Sequence, residues 1–164
     1  MEEGKAFTSK ISGTIVDFLI TMLLFDSLSS NELDIVSKHM NVVTIDQDEV
    51  IFREGDKGDY VCFVVEGSVE VLKQTGESKS VVLNRVQKNS TIGEMALIDE
   101  YSRSATVRAV TQSTLVTLSR TSFDRIIEDH PRIGIKILKG ISRLLSLNLR
   151  KTSSRLVDYM LPLA

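Results

Sequence analysis

The chain has 164 residues, 42% of them apolar and 26% charged. That balance excludes disordered and fibrous classes, and the length is enough to bury a core without staples. Lys and Arg number 20 against 22 Asp and Glu, a net charge of -2, which argues against a domain built to neutralise phosphates along a nucleic acid.

Cys62 is the one cysteine, so an internal disulfide is excluded and a reducing compartment fits. The start, MEEGK, is acidic and lacks the basic head of a signal peptide. The longest apolar run, residues 18–25, is too short to span a bilayer. A cytoplasmic protein is expected.

Taken in order, residues 11–25 carry apolar side chains almost all round and predict one helix packed on every side. Next, "LSSNEL" sets Ser29 as N-cap, Glu32 three residues on, and Leu28 and Leu33 as a hydrophobic staple. This opens a short helix running to about Met40. From Val42 to Ser119 the period changes to two. Short segments rich in Val, Ile and Thr ("VVTID", "EVIFRE", "YVCFVVEG", "SVEVLK", "SVVLNRV", "SATVRAV", "TLVTLS") alternate with turn residues. Seven or eight such strands point to a sandwich, a barrel or a jelly roll. Cys62 falls at an alternating position of a valine-rich strand and reads as a small core residue. Thr121 is placed to cap a short helix, "SFDRIIEDH", and Pro131 to serve as first residue of the next. Residues 131–158 hold no further proline and repeat Ile133, Ile137, Ile141, Leu144 and Leu145, predicting one long amphipathic helix.

The chemistry concentrates in "TIGEMALIDEYSRSATV", residues 91–107. Recognition of a phosphate needs N–H donors, a positive charge and a backbone free of bulky side chains. Gly93 permits positive φ and close approach, and "EMAL" can form a single helical turn with free N–H groups. Arg103 offers a planar fork for two oxygens. Ser104 adds a hydroxyl, and Ala105 is small enough to expose its N–H. One arginine suits a diester of single charge. Glu94 would repel a phosphate, but it makes sense as acceptor for a neighbouring sugar hydroxyl. A phosphodiester beside a free ribose hydroxyl describes a 3′,5′-cyclic nucleotide.

"GEMALIDEYSRSATV" resembles the phosphate-binding cassette of the cyclic nucleotide-binding domain family. "LLFDSLSSNELDIVSKHM" resembles its helical lead-in, and "VIFREGDKGDYVCFVVEGSVEVL" its glycine-punctuated first hairpins. "LSRTSFDRIIEDHP" resembles the helix after its last strand. The resemblance covers about residues 22–158. It implies a mainly β fold, a double-stranded β-helix or jelly roll, with N-terminal helices (1–28), the ligand-binding jelly roll and its leading helix (29–120), and C-terminal helices (121–164). It assigns the ribose 2′-hydroxyl to Glu94 and the cyclic phosphate to Arg103. Gly93, Ala96, Ser104 and Ala105 would line the phosphate, with Met95 inside the same turn. Asn89, Ile92 and Ser102 depart from the family's usual glycine, phenylalanine and proline without removing a ligand contact; Asn89 tolerates a left-handed conformation.

In dimeric bacterial members the long helix pairs with its twin and touches the base. That makes Asn148 a candidate base contact, and Leu138, Ile141, Leu145, Asn148 and Thr152 a seam for a homodimer. Cyclic AMP is expected over cyclic GMP, because adenine offers a 6-amino donor to the acceptor oxygen of Asn148; Ser104 is compatible with either.

Competing readings are a structural Glu94–Arg103 ion pair in a ligand-free interaction module, and a transcription factor of the cyclic AMP receptor type. The latter is disfavoured because only Tyr159–Ala164 follow the long helix, too few for a helix-turn-helix domain. His39 and His130 are too far apart to propose a metal site. No nucleophile–base grouping stands out, so no enzyme activity and no cofactor are expected, and the effector partner is not named by the sequence.

Overall fold

The computed structural model describes residues 14–76 and 79–160. Residues 14–19 are helical (α1), and a 3-10 turn at Leu23–Phe25 leads into α2, Ser30–Ser37. Eight strands follow: β1 (Met40–Ile45), β2 (Val50–Phe52), β3 (Tyr60–Glu66), β4 (Ser68–Thr75), β5 (Lys79–Gln87), β6 (Thr91–Ile92), β7 (Thr106–Ala109) and β8 (Ser113–Ser119). A second 3-10 turn, Glu94–Leu97, lies between β6 and β7, and α3 (Arg120–Asp129) and α4 (Pro131–Met160) follow β8. The strands form two antiparallel four-stranded sheets, in the orders β1-β8-β3-β6 and β2-β7-β4-β5. The expected architecture, a mainly β jelly roll flanked by helices with a long C-terminal one, is the one observed.

Strand β3 explains its own sequence. Val61 and Phe63 face a buried cluster shared with α1, α2, α3 and α4, while Cys62 and Val64 face a second cluster between the sheets with Phe52, Val69, Ile92, Val107 and Leu115. A strand covered on both faces needs a continuous apolar run, which "VCFVV" provides. β5, at a sheet edge, is exposed along nearly its whole length.

Several expectations are corrected. The helix expected over 11–25 is interrupted after residue 19; its residues 11–13 lie outside the described residues. Thr21 ends α1 by turning its own N–H and hydroxyl onto the Phe18 carbonyl, at 3.0 and 2.7 Å. The segment is not covered all round either: Ile20 and Leu23 are more than half exposed. The capping box of α2 forms as read, with the Ser29 N–H donating to Glu32 at 2.7 Å and the Glu32 N–H to the Ser29 hydroxyl at 3.4 Å. The helix ends at Ser37, however, because Met40 already pairs with Leu118 as the first residue of β1. Helix α3 is capped by Ser119, not Thr121: Ser119 leaves β8 in an extended conformation and its hydroxyl accepts from the Ser122 N–H at 3.1 Å, so Thr121 falls inside the first turn. Pro131 does open α4, which runs to Met160. The seam expected on α4 is largely spent inside the chain, since Ile141 is fully buried and Leu138 and Leu145 pack against the same cluster.

Candidate functional site

The loop joining β6 to β7 carries the cassette. Gly93 takes φ 75°, ψ 24° immediately before the Glu94–Leu97 turn, a left-handed conformation that glycine enters freely. A Cβ there would also run into the Arg103 guanidinium. Asn89, a turn earlier, has φ 64°, the left-handed conformation its side chain tolerates.

Arg103 is held by its backbone and its side chain. Its N–H donates to the Asp56 carbonyl at 2.8 Å, and its carbonyl accepts from Gly55 at 2.9 Å, pinning it to the loop between β2 and β3. Its side chain is buried at 6% exposure. Nη2 donates to the Tyr60 carbonyl at 2.7 Å and Nη1 to the Gly93 carbonyl at 3.4 Å. The guanidinium lies 4.0 Å from the Phe52 ring centroid and 4.7 Å from that of Tyr60, a stacking favourable to a flat cation. Nε is buried and has no hydrogen-bond partner among the described residues. The ion pair with Glu94 weighed from the sequence is not formed; both nitrogens of the fork go to main-chain carbonyls.

Half-buried Glu94 instead accepts from Asn148, whose Nδ2 stands 3.3 Å from Glu94 Oε1 across 54 residues of sequence. Burial pushes the Glu94 carboxyl up from its ordinary value, and the Asn148 hydrogen bond pulls against that shift. Ser104 is exposed, and its carbonyl accepts from Lys73 Nζ at 2.8 Å, while Lys73 also pairs with Glu54 at 2.5 Å. Ala96 and Ala105 are buried beside the cavity. Nearby, Cys62 is fully buried and its thiol is pushed up to about 12, chiefly by burial, so it stays protonated and inert near neutral pH.

These residues face one open cavity of about 570 Å³. Gly93, Glu94, Met95, Ala96, Arg103, Ser104, Ala105 and Asn148 all line it, so the structure brings together every ligand-binding candidate read from the sequence. It adds residues the sequence did not flag: Phe52 and Gly58 beside Arg103, Val71, Asn84 and Val86 from β4 and β5, and Leu144 and Lys151 from α4. Tyr60, whose own carbonyl and ring hold Arg103, and Lys73, which donates to the Ser104 carbonyl, were also missed. Their partners lie 31 to 43 residues away in the chain, a separation at which no local pattern marks them. No alternation singles out Asn84 either, since β5 runs Val81, Val82, Leu83 before it and Arg85 after it.

Among the described residues no helix is long and apolar enough to cross a membrane, and no group of three or more His, Cys, Asp or Glu is arranged to hold a metal ion.

The two sheets, with a small-residue loop and a buried arginine at the mouth of one cavity, define a jelly-roll ligand-binding domain. Residues 42–130, more than half of the chain, match the Cyclic nucleotide-binding domain family, and the chain belongs to it. A solved cyclic nucleotide-binding domain from Methylobacillus flagellatus superposes with a TM-score of 0.81 at 27% identity, covering 92% of this chain and 84% of that one. The CRP-like cAMP-activated global transcriptional regulator of Mycobacterium tuberculosis is 22% identical over 137 residues, 84% of this chain and 59% of the regulator. Lysophospholipase nte1 of Neurospora crassa is 30% identical over 100 residues, 61% of this chain. The chain spans just 7% of that enzyme's length.

Proposed function

We propose that this domain senses a cyclic purine nucleotide, cyclic AMP by preference, and signals through the position of α4. The observation that carries the reading is the buried Arg103 fork, without a carboxylate partner among the described residues, facing the same cavity as Gly93, Glu94 and Ala105. A buried guanidinium satisfied only by neutral carbonyls gains most from an anion. Arg103 meets the cyclic phosphate, with Gly93, Ala96, Ser104 and Ala105 forming the small-residue wall around it and Met95 in the same turn, and Glu94 accepts from the ribose 2′-hydroxyl.

Asn148 supports the base preference. Its Nδ2 is engaged by Glu94, so Oδ1 is the atom left to accept, and that suits the 6-amino group of adenine better than the 6-oxo group of guanine. The name of the mycobacterial relative points the same way. The homodimer is retained in altered form: Leu149, Leu156 and Met160 continue the stripe of Leu138 and Leu145 beyond the core and are exposed, and a second copy would cover them.

Calorimetry on nucleotide-stripped protein tests the reading. Cyclic AMP should bind, and Arg103→Ala should weaken it by roughly 2 to 4 kcal/mol, at least about thirtyfold in Kd, through loss of a charge-assisted forked contact. Arg103→Lys keeps the charge but not the fork and should fall between. One observation favours a second reading, a ligand-free interaction module: the carbonyls of Tyr60 and Gly93 already give Arg103 a structural role. Absence of heat and of any thermal shift at millimolar cyclic AMP and cyclic GMP would decide for that module.

A further inference from the structure

Arg120 has no place in the cavity, yet its side chain reaches the cassette from behind. It is the first residue of α3 and immediately follows the Ser119 cap. Its backbone N–H donates to the Asp59 carbonyl at 2.7 Å, which fixes the residue beside the start of β3. Its Nη2 donates to the Ala96 carbonyl at 2.5 Å, in the middle of the Glu94–Leu97 turn, and its Nη1 stands 3.6 Å from Glu100 Oε1 on the far side of the same loop. One guanidinium therefore bridges two points of the loop, and only 21% of that side chain is exposed.

The two bonds differ in weight. The Glu100 carboxylate is 90% exposed, so that ion pair is screened and contributes little. The bond to Ala96 is charge-assisted and partly shielded, the stronger kind. It also has leverage. Ala96 donates its own N–H to the Gly93 carbonyl, the same oxygen that accepts from Arg103 Nη1. A polar chain thus runs from Arg103 through Gly93 and Ala96 to Arg120 and the first turn of α3. Beneath it, Leu97 is buried in one cluster with Phe123 and Ile126 of α3 and Ile137 of α4. That apolar contact resists separation of turn and helix, but it has no preferred direction. The guanidinium fork has one, because its planar donors must point along the Ala96 lone pairs.

We propose that Arg120 is a positioning residue that locks the Glu94–Leu97 turn to the N-terminus of α3, so that a change at the cassette moves α3 and, through it, α4. The proposal rests on the cassette being the ligand site. Arg120 touches no ligand; it sets the orientation of the turn and carries its displacement to the helices.

Two measurements test it, and the first needs no nucleotide. Amide hydrogen exchange on unliganded protein should show residues 94–100 exchanging about tenfold faster or more in Arg120→Met than in wild type, with β3 and β8 unchanged, since a local clamp is lost while the global fold is kept. Equal exchange in that loop would overturn the proposal. The second uses a fluorophore on Ser154→Cys, an exposed position off the Leu149–Leu156 stripe, where buried Cys62 stays unlabelled. Cyclic AMP should shift the fluorescence of the Arg120-containing protein. Arg120→Met should bind cyclic AMP within about fivefold of wild type but lose most of that shift, a coupling loss distinct from a binding loss. A full fluorescence response in Arg120→Met would overturn the proposal. Arg120→Lys keeps the charge but cannot span both sites; it should give an intermediate response, and it serves as the variant if Arg120→Met fails to fold. If wild type binds no cyclic nucleotide, the ligand reading fails by itself, and the exchange measurement alone decides whether Arg120 holds the turn.

Discussion

Ile133, Ile137 and Ile141, on the first half of α4, are at most 4% exposed, whereas Leu149 and Leu156, on the second half, are 68% and 58% exposed. The second half is the more polar in sequence, with no apolar residue from Arg150 to Arg155, yet its leucines still continue one stripe, so sequence accounts for only part of the difference. Partners account for the rest. The first half lies on the cluster formed by α1, the Leu23–Phe25 turn, α2 and α3. Lys136 grips Glu32 with both contacts at 2.7 Å, and Arg143 meets Asp26 at 2.5 Å. At Gly140 the helix comes so close to the Leu24 carbonyl that a Cβ would collide with it. In the second half, the polar tie to the jelly roll among the described residues is the bond from Asn148 to Glu94. The helix is thus fixed along one half, while the other half meets the cavity lining through Asn148.

The largest expected break in this contrast is Ile137→Ala. Removing a fully buried side chain at the centre of the anchored half should cost about 2 to 5 kcal/mol in urea unfolding. A loss below 1 kcal/mol would mean that the anchored half is no better packed than the free one.

Gly140→Ala probes the anchor differently. Overpacking against a backbone carbonyl costs about 1 to 3 kcal/mol, and the gain in helix propensity of up to about 1 kcal/mol offsets part of it. A net loss of up to about 2 kcal/mol is expected; a stabilised variant would show that α4 can move off Leu24 freely.

Smaller in stability, but sharper in sign, is Glu94→Gln at the tie point. Burial holds the Glu94 carboxyl above its ordinary 4.5, so the native state keeps a proton that the unfolded chain has released. The stabilisation from this group is complete below the unfolded value and is lost as pH rises through the native value. Glutamine carries no such dependence. Relative to wild type, Glu94→Gln should therefore gain stability as pH rises above the ordinary 4.5, while its affinity for cyclic AMP falls. Parallel melting curves for the two proteins across that range would contradict the sign.

The smallest effect belongs to the free half. Leu149→Ser and Leu156→Ser should each change unfolding stability by no more than about 0.5 kcal/mol, as exposed substitutions do. Both should shift sedimentation toward monomer if the exposed stripe pairs with a second copy. A loss above 1 kcal/mol in dilute monomer would show that the free half folds back on its own jelly roll.

The sequence by itself determined the elements whose signals are local. Ser29 and Glu32 marked α2 because a capping box closes within one turn; Pro131 marked the start of α4; the period of two marked the strands; and Gly93, Glu94, Arg103 and Ala105 sit within a dozen residues of one another, so their shared chemistry was legible along the chain. Tertiary structure alone decided what depends on partners distant in sequence. Thr121 and Ser119 are both acceptable caps, and the end of β8 chose between them. Met40 could continue a helix until its pairing with Leu118 made it a strand. Arg103 and Glu94 have charges suited to an ion pair, yet Tyr60, Phe52 and Asn148 drew them apart, because a flat cation between two rings and two carbonyls is already partly satisfied. Leu149 and Leu156 belong to the same stripe as Leu138 and Leu145 but stay exposed, because burial is a property of the surface a helix meets, and that surface combines nearby α3 with α1, α2 and ion-pair partners more than a hundred positions away.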